Sequence, residues 1–371
     1  MTDCTQRLAI YLATSGHSGV DRVMSNLIEE ISARGIVIDL LRIAGHGPHL
    51  RDIPANVRLV DLGTAHVASS LWPLVRYLRR ERPFALLSDK DRLNRYALLA
   101  RRVAGVSTRV AVRLGTTVSE NLAKRSGFER WLQYTSIRRF YRWADAVLVP
   151  SQGAATDLIA IGNLDPAKVK VVPSPIVNER LFRLAVEPCP HPWYGDGGCP
   201  VILGVGELCE RKDFATLLRA FATVRKSLQA RLVILGEGRK RGELEALAHD
   251  LGVADATAFP GFQPNPYAFM ARAELFVLSS RCEGAPVVLM EALACGVPVV
   301  STDCPSGPRE ILQDGRLGAL VPVGDANALA KAMVATLQNP PERAALRLGA
   351  EPFRASVSAN HYLAALGLSH V

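Results

Sequence analysis

Glu283-Gly-Ala-Pro-Val-Val-Leu-Met-Glu291-Ala-Leu-Ala-Cys295-Gly-Val-Pro-Val-Val-Ser-Thr-Asp303 is the stretch on which the reading of this chain turns. One carboxylate stands in a tight Gly-Ala-Pro loop. A second follows eight residues later inside a helix-forming run, and Gly-Val-Pro-Val-Val then enters a strand. The start of such a helix presents unpaired N–H groups and the positive end of a dipole, which suits a diphosphate. The two acids accept hydrogen bonds from hydroxyl groups, as on a sugar and a ribose. The loop–helix–strand unit therefore reads as a cradle for a nucleotide sugar.

Outward from this unit, short β-branched runs alternate with longer amphipathic segments. Strands are expected at 7–13, 36–42, 57–60, 84–87, 108–113, 146–149 and 169–172, then at 200–205, 231–235, 256–259, 274–278, 297–301 and 318–321. Helices are expected at 20–34, 92–104, 119–142, 213–227, 239–251, 287–295 and 325–337. Such alternation argues for an α/β protein with parallel sheets and helices on both faces. Four Pro and three Gly in the fourteen residues 187–200 exclude a helix or central strand there, so the stretch reads as a linker. The expected layout is a Rossmann-like domain at 1–186, the linker at 187–200, a second Rossmann-like domain at 201–350, and a final helix within 351–371 returning to the first domain. Two doubly wound domains of this kind are expected to face a central cleft at the carboxyl ends of their strands.

The bulk composition narrows the class. A chain of 371 residues, 49% hydrophobic, can bury two cores and is not disordered. No apolar run is long enough to span a bilayer. The seven cysteines are odd in number and none lies in a Cys-x-x-Cys pair, which argues against a disulfide framework or a zinc site and for reduced thiols in the cytoplasm. Charge is unevenly spread. Residues 1–188 hold 27 Lys and Arg against 17 Asp and Glu, a net of +10, while residues 189–371 are at −1. The first half is therefore suited to an anionic partner.

Several loops carry candidate chemistry. After the strand at 200–205 comes Gly204-Val-Gly206-Glu207-Leu-Cys-Glu-Arg211-Lys212-Asp213, which places a cationic pair where it can neutralise a leaving diphosphate. Gly236 and Gly238 follow the next strand and allow close backbone approach. Phe262 follows Pro260-Gly261 and stands where backbone can read a base edge. The N-terminal loop Thr14-Ser-Gly16-His-Ser-Gly19-Val-Asp-Arg22 offers small residues at the end of the first strand, for a phosphate or sugar. It is not Gly-x-Gly-x-x-Gly, and no P-loop is present. The segment 119–143 interleaves Lys124, Arg125, Arg130, Arg138, Arg139 and Arg142 with Phe128, Trp131, Tyr134, Phe140, Tyr141 and Trp143. That pattern fits an anionic membrane surface, and it equally fits an aromatic core stripe with a solvated basic face; single-stranded nucleic acid, through stacking and phosphate contacts, is the lesser alternative.

At this point the chain resembles the family 4 retaining glycosyltransferases of the two-Rossmann GT-B fold, group 1. The acid-x7-acid motif is Glu283 to Glu291. Ser279-Ser-Arg-Cys-Glu-Gly284, Asp303-Cys-Pro-Ser-Gly-Pro-Arg-Glu-Ile-Leu312, Asn265-Pro-Tyr267 and Val321-Pro-Val-Gly-Asp325 agree with it. The first 190 residues match more loosely, through Gly16 to Arg22 and Ala144 to Ser151. The resemblance implies transfer of a hexose or N-acetylhexosamine from a UDP-sugar, or a GDP-sugar, to a polysaccharide or lipid-linked acceptor, with the anomeric configuration retained.

It also implies roles. Glu283 contacts the donor sugar and Glu291 the ribose. Lys212, with Arg211, stabilises the diphosphate. Gly16, Gly19, Gly206, Gly236, Gly238, Phe262, Gly284, Ala285, Val287 and Val288 line the donor site, the last two through N–H groups that Pro286 lacks. No metal or other cofactor and no nucleic acid is implied. The expected location is cytoplasmic, peripheral on the inner membrane face. This chain departs from the family at Glu207, where an Arg is usual, at Ser174-Pro175, where Asn-Pro is common, and at Arg113, near which many relatives carry a His. The alternatives are a nucleotide-sugar epimerase on the same fold and a catalytically weak nucleotide-sugar binder.

Overall fold

Among the described residues the apolar runs become thirteen strands, each within two residues of its expected ends. The structure is a computed structural model and describes residues 7–14, 19–47, 50, 52–123, 125–195 and 198–368. The chain divides into two units, Met1–Ile176 with Phe353–Val371, and Val177–Pro352.

The first unit contains β1 (Leu8–Tyr11), β2 (Ile38–Arg42), β3 (Val57–Asp61), β4 (Ala85–Asp89), β5 (Arg109–Arg113), β6 (Ala146–Val149) and β7 (Val169–Val171). They form one sheet in the order β3-β2-β1-β4-β5-β6-β7, parallel throughout. The second unit contains β8 (Val201–Val205), β9 (Arg231–Leu235), β10 (Thr257–Gly261), β11 (Leu275–Leu278), β12 (Val299–Thr302) and β13 (Ala319–Val321), also all parallel, in the order β10-β9-β8-β11-β12-β13. Central strands such as β1, β4, β6 and β11 are buried along their whole length. Helices cover both faces of such a sheet, which is why these strands read as continuous apolar runs. Each unit has its own core.

The strand orders fix where ligands can bind. In the second unit, β8 to β10 wind outward one way and β11 to β13 the other. The loops after β8 and β11 therefore leave in opposite directions and open a crevice between them, the usual ligand position in doubly wound sheets. In the first unit the corresponding point lies between β1 and β4.

Three details differ from the sequence reading. The first unit ends at Ile176, ahead of the Pro/Gly-rich stretch. The helix Glu179–Ala185 is part of the second unit, where Asn265 Nδ2 donates to Leu184 O at 2.9 Å. Within the stretch read as a linker, Tyr194 packs edge-on against Phe269 and Arg231 lies 5.2 Å over Trp193, so these residues belong to the second unit's surface. The expected helix at 119–142 is broken. Val118–Asn121 is a short helix, and a new one, Gly127–Phe140, begins at a capping box of Ser126 and Glu129.

The helix Ala355–Leu366 belongs to the first unit. It delivers Tyr362, whose hydroxyl accepts from Arg113 Nε at 2.8 Å, while Arg113 Nη1 pairs with Asp89 at 2.9 Å. All three side chains are buried. Burial opposes the charge on Arg113, but Tyr362 and Asp89 outweigh it and hold the guanidinium protonated.

Candidate functional site

The crevice between β8 and β11 is where the sequence-predicted residues converge. The loop after β8 is short and closely tied. Gly206 N–H donates to Leu235 O, Leu208 N–H to Glu237 O, and Lys240 N–H to Leu208 O. It ends at Asp213, which has φ of 48° and takes Thr216 Oγ1 at 2.9 Å and Arg281 Nε at 3.0 Å. Arg281 N–H donates to Arg211 O, and Ser279 Oγ to Lys212 O. These bonds lash the 211–213 turn to the end of β11 and so aim Lys212 and Arg211 at the loop that carries Glu283.

Lys212 Nζ lies 2.7 Å from Glu283 Oε1, and Arg211 Nη1 lies 2.9 Å from Oε2. Ser280 Oγ also donates to Oε1, at 2.7 Å. The Lys212 and Glu283 side chains are only 11% and 9% exposed, so their attraction is little screened by water. Burial alone would raise the Glu283 carboxyl. The charges of Lys212 and Arg211 outweigh it and hold the group below its ordinary range. Arg211 is opposed by burial in the same way and is nevertheless raised, first by Glu283, with further contributions that include Glu207. Lys212, Arg211 and Glu283 thus form one electrostatic unit.

The helix after Glu283 is Val287–Cys295. Its N-cap is Pro286, and no side chain caps it. Its first N–H groups, on Val287 and Val288, have no intrahelical partner by geometry. Gly284 and Ala285 are held against the 305–307 turn. Glu283 N–H donates to Pro305 O, Ser306 N–H to Glu283 O, and a Cβ on Gly307 would sit 2.8 Å from Gly284 O.

Glu291 is placed differently. It is fully buried, and Tyr267 Oη donates to its Oε1 at 3.0 Å. The structure therefore gives this acid a partner within the protein, not an open face. Tyr267 is not among the residues the sequence singles out; its signal there is the Asn265-Pro-Tyr267 match. Ser280, three residues before Glu283, is likewise unmarked in the sequence.

The glycines resolve into packing roles. Gly236 has φ of +135°, and a Cβ there would lie 2.0 Å from Gly206 O; one on Gly238 would lie 2.4 Å from Leu208 O. On the side where a side chain would stand, the 206–208 backbone lies against both glycines. Gly206 itself lies against the Lys212 stem, with Cδ and Cε each 3.1 Å from a notional Cβ. Phe262 is 53% exposed just past β10, one strand beyond β9 from the pair. Gly19 opens the helix Gly19–Ala33 in the first unit, and Gly16 lies outside the described residues. Among the described residues no group of His, Cys, Asp or Glu is arranged to hold a metal ion, and no helix is long and apolar enough to cross a membrane.

The aromatic segment at 119–143 divides. Tyr141 is fully buried, and Tyr134, Phe140 and Trp143 pack on the core. Phe128, Trp131 and Leu132 are 69%, 59% and 53% exposed, and the Phe128 and Trp131 rings stack at 6.0 Å.

Comparison with known proteins bears on the family and the fold. Residues 195–351 match the family profile described as "Glycosyl transferases group 1", and residues 18–175 match "Glycosyl transferase 4-like domain". A Campylobacter jejuni protein named "N-acetylgalactosamine-N,N'-diacetylbacillosaminyl-diphospho-undecaprenol 4-alpha-N-acetylgalactosaminyltransferase" is 31% identical, over 90% of this chain and 91% of its own. The solved structure of the lipopolysaccharide outer core galactosyltransferase WaaB, apo form, superposes with a TM-score of 0.74 at 20% identity, covering 97% of this chain and 99% of that one. Anabaena Alr3699/HepE in complex with UDP and glucose superposes with a TM-score of 0.77 at 17% identity, covering 98% and 99%. The latter two likenesses concern the GT-B fold.

Proposed function

The chain belongs to the group 1 glycosyltransferases, and from that membership we propose that it transfers a hexose or N-acetylhexosamine from a UDP-sugar to a polysaccharide or lipid-linked acceptor, with retention at the anomeric carbon. The observation that carries the proposal is the Lys212–Arg211–Glu283 cluster at the switch point beside a helix start with no side-chain cap. The second unit holds the donor and the first recognises the acceptor. UDP is favoured over GDP because a protein of the same fold was solved with UDP and glucose. A lipid-linked acceptor is favoured because the Campylobacter jejuni relative is named for a diphospho-undecaprenol substrate.

In this mechanism the diphosphate lies at the start of the helix Val287–Cys295, and Lys212 and Arg211 take up its growing charge as the bond from the anomeric carbon to phosphate oxygen breaks. Glu283 contacts the sugar. A diphosphate oxygen takes the proton of the acceptor hydroxyl, which forms the new bond on the face that the leaving group vacates. No protein base and no metal are needed. Glu291 reaches the ribose once the nucleotide draws it from Tyr267. Phe128, Trp131 and Leu132, with Arg125 and Arg130 beside them, rest on an anionic membrane surface at its cytoplasmic face.

The test is incubation of the purified chain with a panel of UDP- and GDP-sugars, with and without undecaprenyl-diphosphate-linked glycans, following nucleotide release and the anomeric configuration of the product. Acceptor-dependent UDP release with an α-linked product from an α-linked donor supports the reading. Release of an inverted product, or sugar epimerisation without acceptor, refutes it. A second reading, a binder that does not turn over, is favoured by Glu207, whose negative charge stands close to Arg211. It predicts thermal stabilisation by UDP without consumption of any donor.

A further inference from the structure

The first unit has a second concentration of charge, at the opposite end of its sheet from the β1 and β4 loops. The helix Asp91–Ala104 ends there, and the chain enters β5, β6 and β7 there. These entries enclose an open cleft of about 380 Å³ lined by Arg101, Arg102, Arg142, Trp143, Asp145 and Lys168.

Most of this charge is not neutralised within the protein. Arg101 pairs with Asp145 Oδ2 at 2.8 Å, and the same oxygen accepts from Val110 N–H at 2.7 Å, so the one acid of the lining is matched by Arg101 and leaves the other cations unneutralised. Lys168 Nζ donates to Arg142 O at 3.0 Å and Ala144 O at 3.2 Å, which uses two of its three N–H donors and fixes its position. Arg102 lies over the Trp143 ring at 4.9 Å. Among the described residues the Arg142 guanidinium has no hydrogen bond and no ion pair. Cations at a helix C-terminus answer the helix dipole, which accounts for Arg101 and Arg102. It does not account for Arg142 and Lys168, which come from other elements to the same hollow.

We propose that this cleft binds a phosphate group carried by a ligand other than the sugar donor. Arg102, Arg142 and Lys168 remain as three cations around one space, and a phosphate offers three acceptor oxygens and up to two negative charges. Arg meets it through a planar fork and Lys as a point charge. The cleft is larger than phosphate alone, so an organic group extends from it towards solvent. The phosphate belongs either to a soluble metabolite or to a lipid headgroup. The proposal rests on the first unit's geometry and stands apart from the transferase reading.

The experiment is isothermal titration of the full chain with inorganic pyrophosphate, in a Lys212→Gln background that weakens the donor site, against sulfate at equal ionic strength. Arg142→Glu and Arg102→Gln are compared. Both side chains are exposed, and Arg142 makes no side-chain hydrogen bond among the described residues, so melting temperatures should hold and confirm folding. The expected result is pyrophosphate binding that survives Lys212→Gln and weakens about 10-fold or more in each cleft variant, the loss of one charge-assisted contact. Sedimentation with phosphatidic acid vesicles separates the sources. Uptake that falls in Arg142→Glu identifies a headgroup; unchanged uptake with weakened pyrophosphate binding identifies a soluble phosphate. Pyrophosphate affinity unchanged in both cleft variants, or no preference over sulfate, overturns the proposal.

Discussion

Lys212 Nζ and Glu283 Oε1 stand 2.7 Å apart across the point where the second sheet reverses its winding. Each comes from a different strand end, and each is held by bonds that serve little else. The pair is nearly dry, so whichever group a ligand meets first, it disturbs the charge of the other.

Removing the lysine therefore tests the site directly. Lys212→Ala should lower kcat by ~10²–10³, as loss of a donor aimed at developing charge does elsewhere. KM for the donor should change less. Steady-state kinetics decide this, and unaltered turnover would remove Lys212 from the mechanism.

The same pair makes a pH signature. Glu283 has a carboxyl held below its ordinary range in the folded chain, so it contributes stability above the pKa of an unfolded glutamate, about 4.3. That contribution is lost as pH falls through the lowered folded value. In Lys212→Gln the Coulombic support falls to Arg211 alone, so the folded value moves back towards the unfolded one and the loss of stability on acidification should shrink. Melting temperatures of both proteins between about pH 3 and pH 7 provide the check. Superimposable acid limbs would show that the pair is not coupled as drawn.

Gly238 and Gly242 form a matched comparison. A Cβ on Gly238 would lie 2.4 Å from backbone oxygen Leu208, whereas one on Gly242, in the helix Arg241–Asp250, meets nothing within 4 Å. Gly238→Ala should destabilise by ~1–3 kcal/mol through overpacking. Gly242→Ala should be neutral or stabilising by up to ~1 kcal/mol, since alanine is the better helix former. Urea denaturation of the two variants measures both, and an equally harmless Gly238→Ala would contradict the loop packing.

The exposed aromatic pair makes a surface prediction. Phe128→Ser with Trp131→Ser should abolish sedimentation with anionic vesicles while shifting stability within about 0.5 kcal/mol each, as exposed positions do. Full vesicle binding in the double variant would assign the two rings no membrane role.

Much of this was legible from the residues alone, for identifiable reasons. Strands such as β4 and β11 are buried on both faces, so they appear as apolar runs that need no tertiary information. Lys212 and Glu283 were legible because each follows a strand closely, and strand order brings such loops together. Tyr267 was not, because a tyrosine at the start of a one-turn helix carries no mark of the buried acid it will meet 24 residues on. The long helix expected at 119–142 failed because aromatic and basic residues keep a helical rhythm across Ser126-Gly127, where the capping box starts a new helix. The need for glycine at 236 and 238 was legible, but not the neighbouring 206–208 loop that imposes it, which only the fold supplies.

The contact of Arg113 with Tyr362 spans 249 positions in the chain. During synthesis the first unit emerges early, yet Arg113 and Asp89 must wait for a helix that leaves the ribosome only after the entire second unit. Until then the first unit exists with an unfinished seam, and a nascent chain stalled before residue 355 would expose it. Maturation of this half is thus timed by translation of the other, so a premature stop late in the message would damage the part made first.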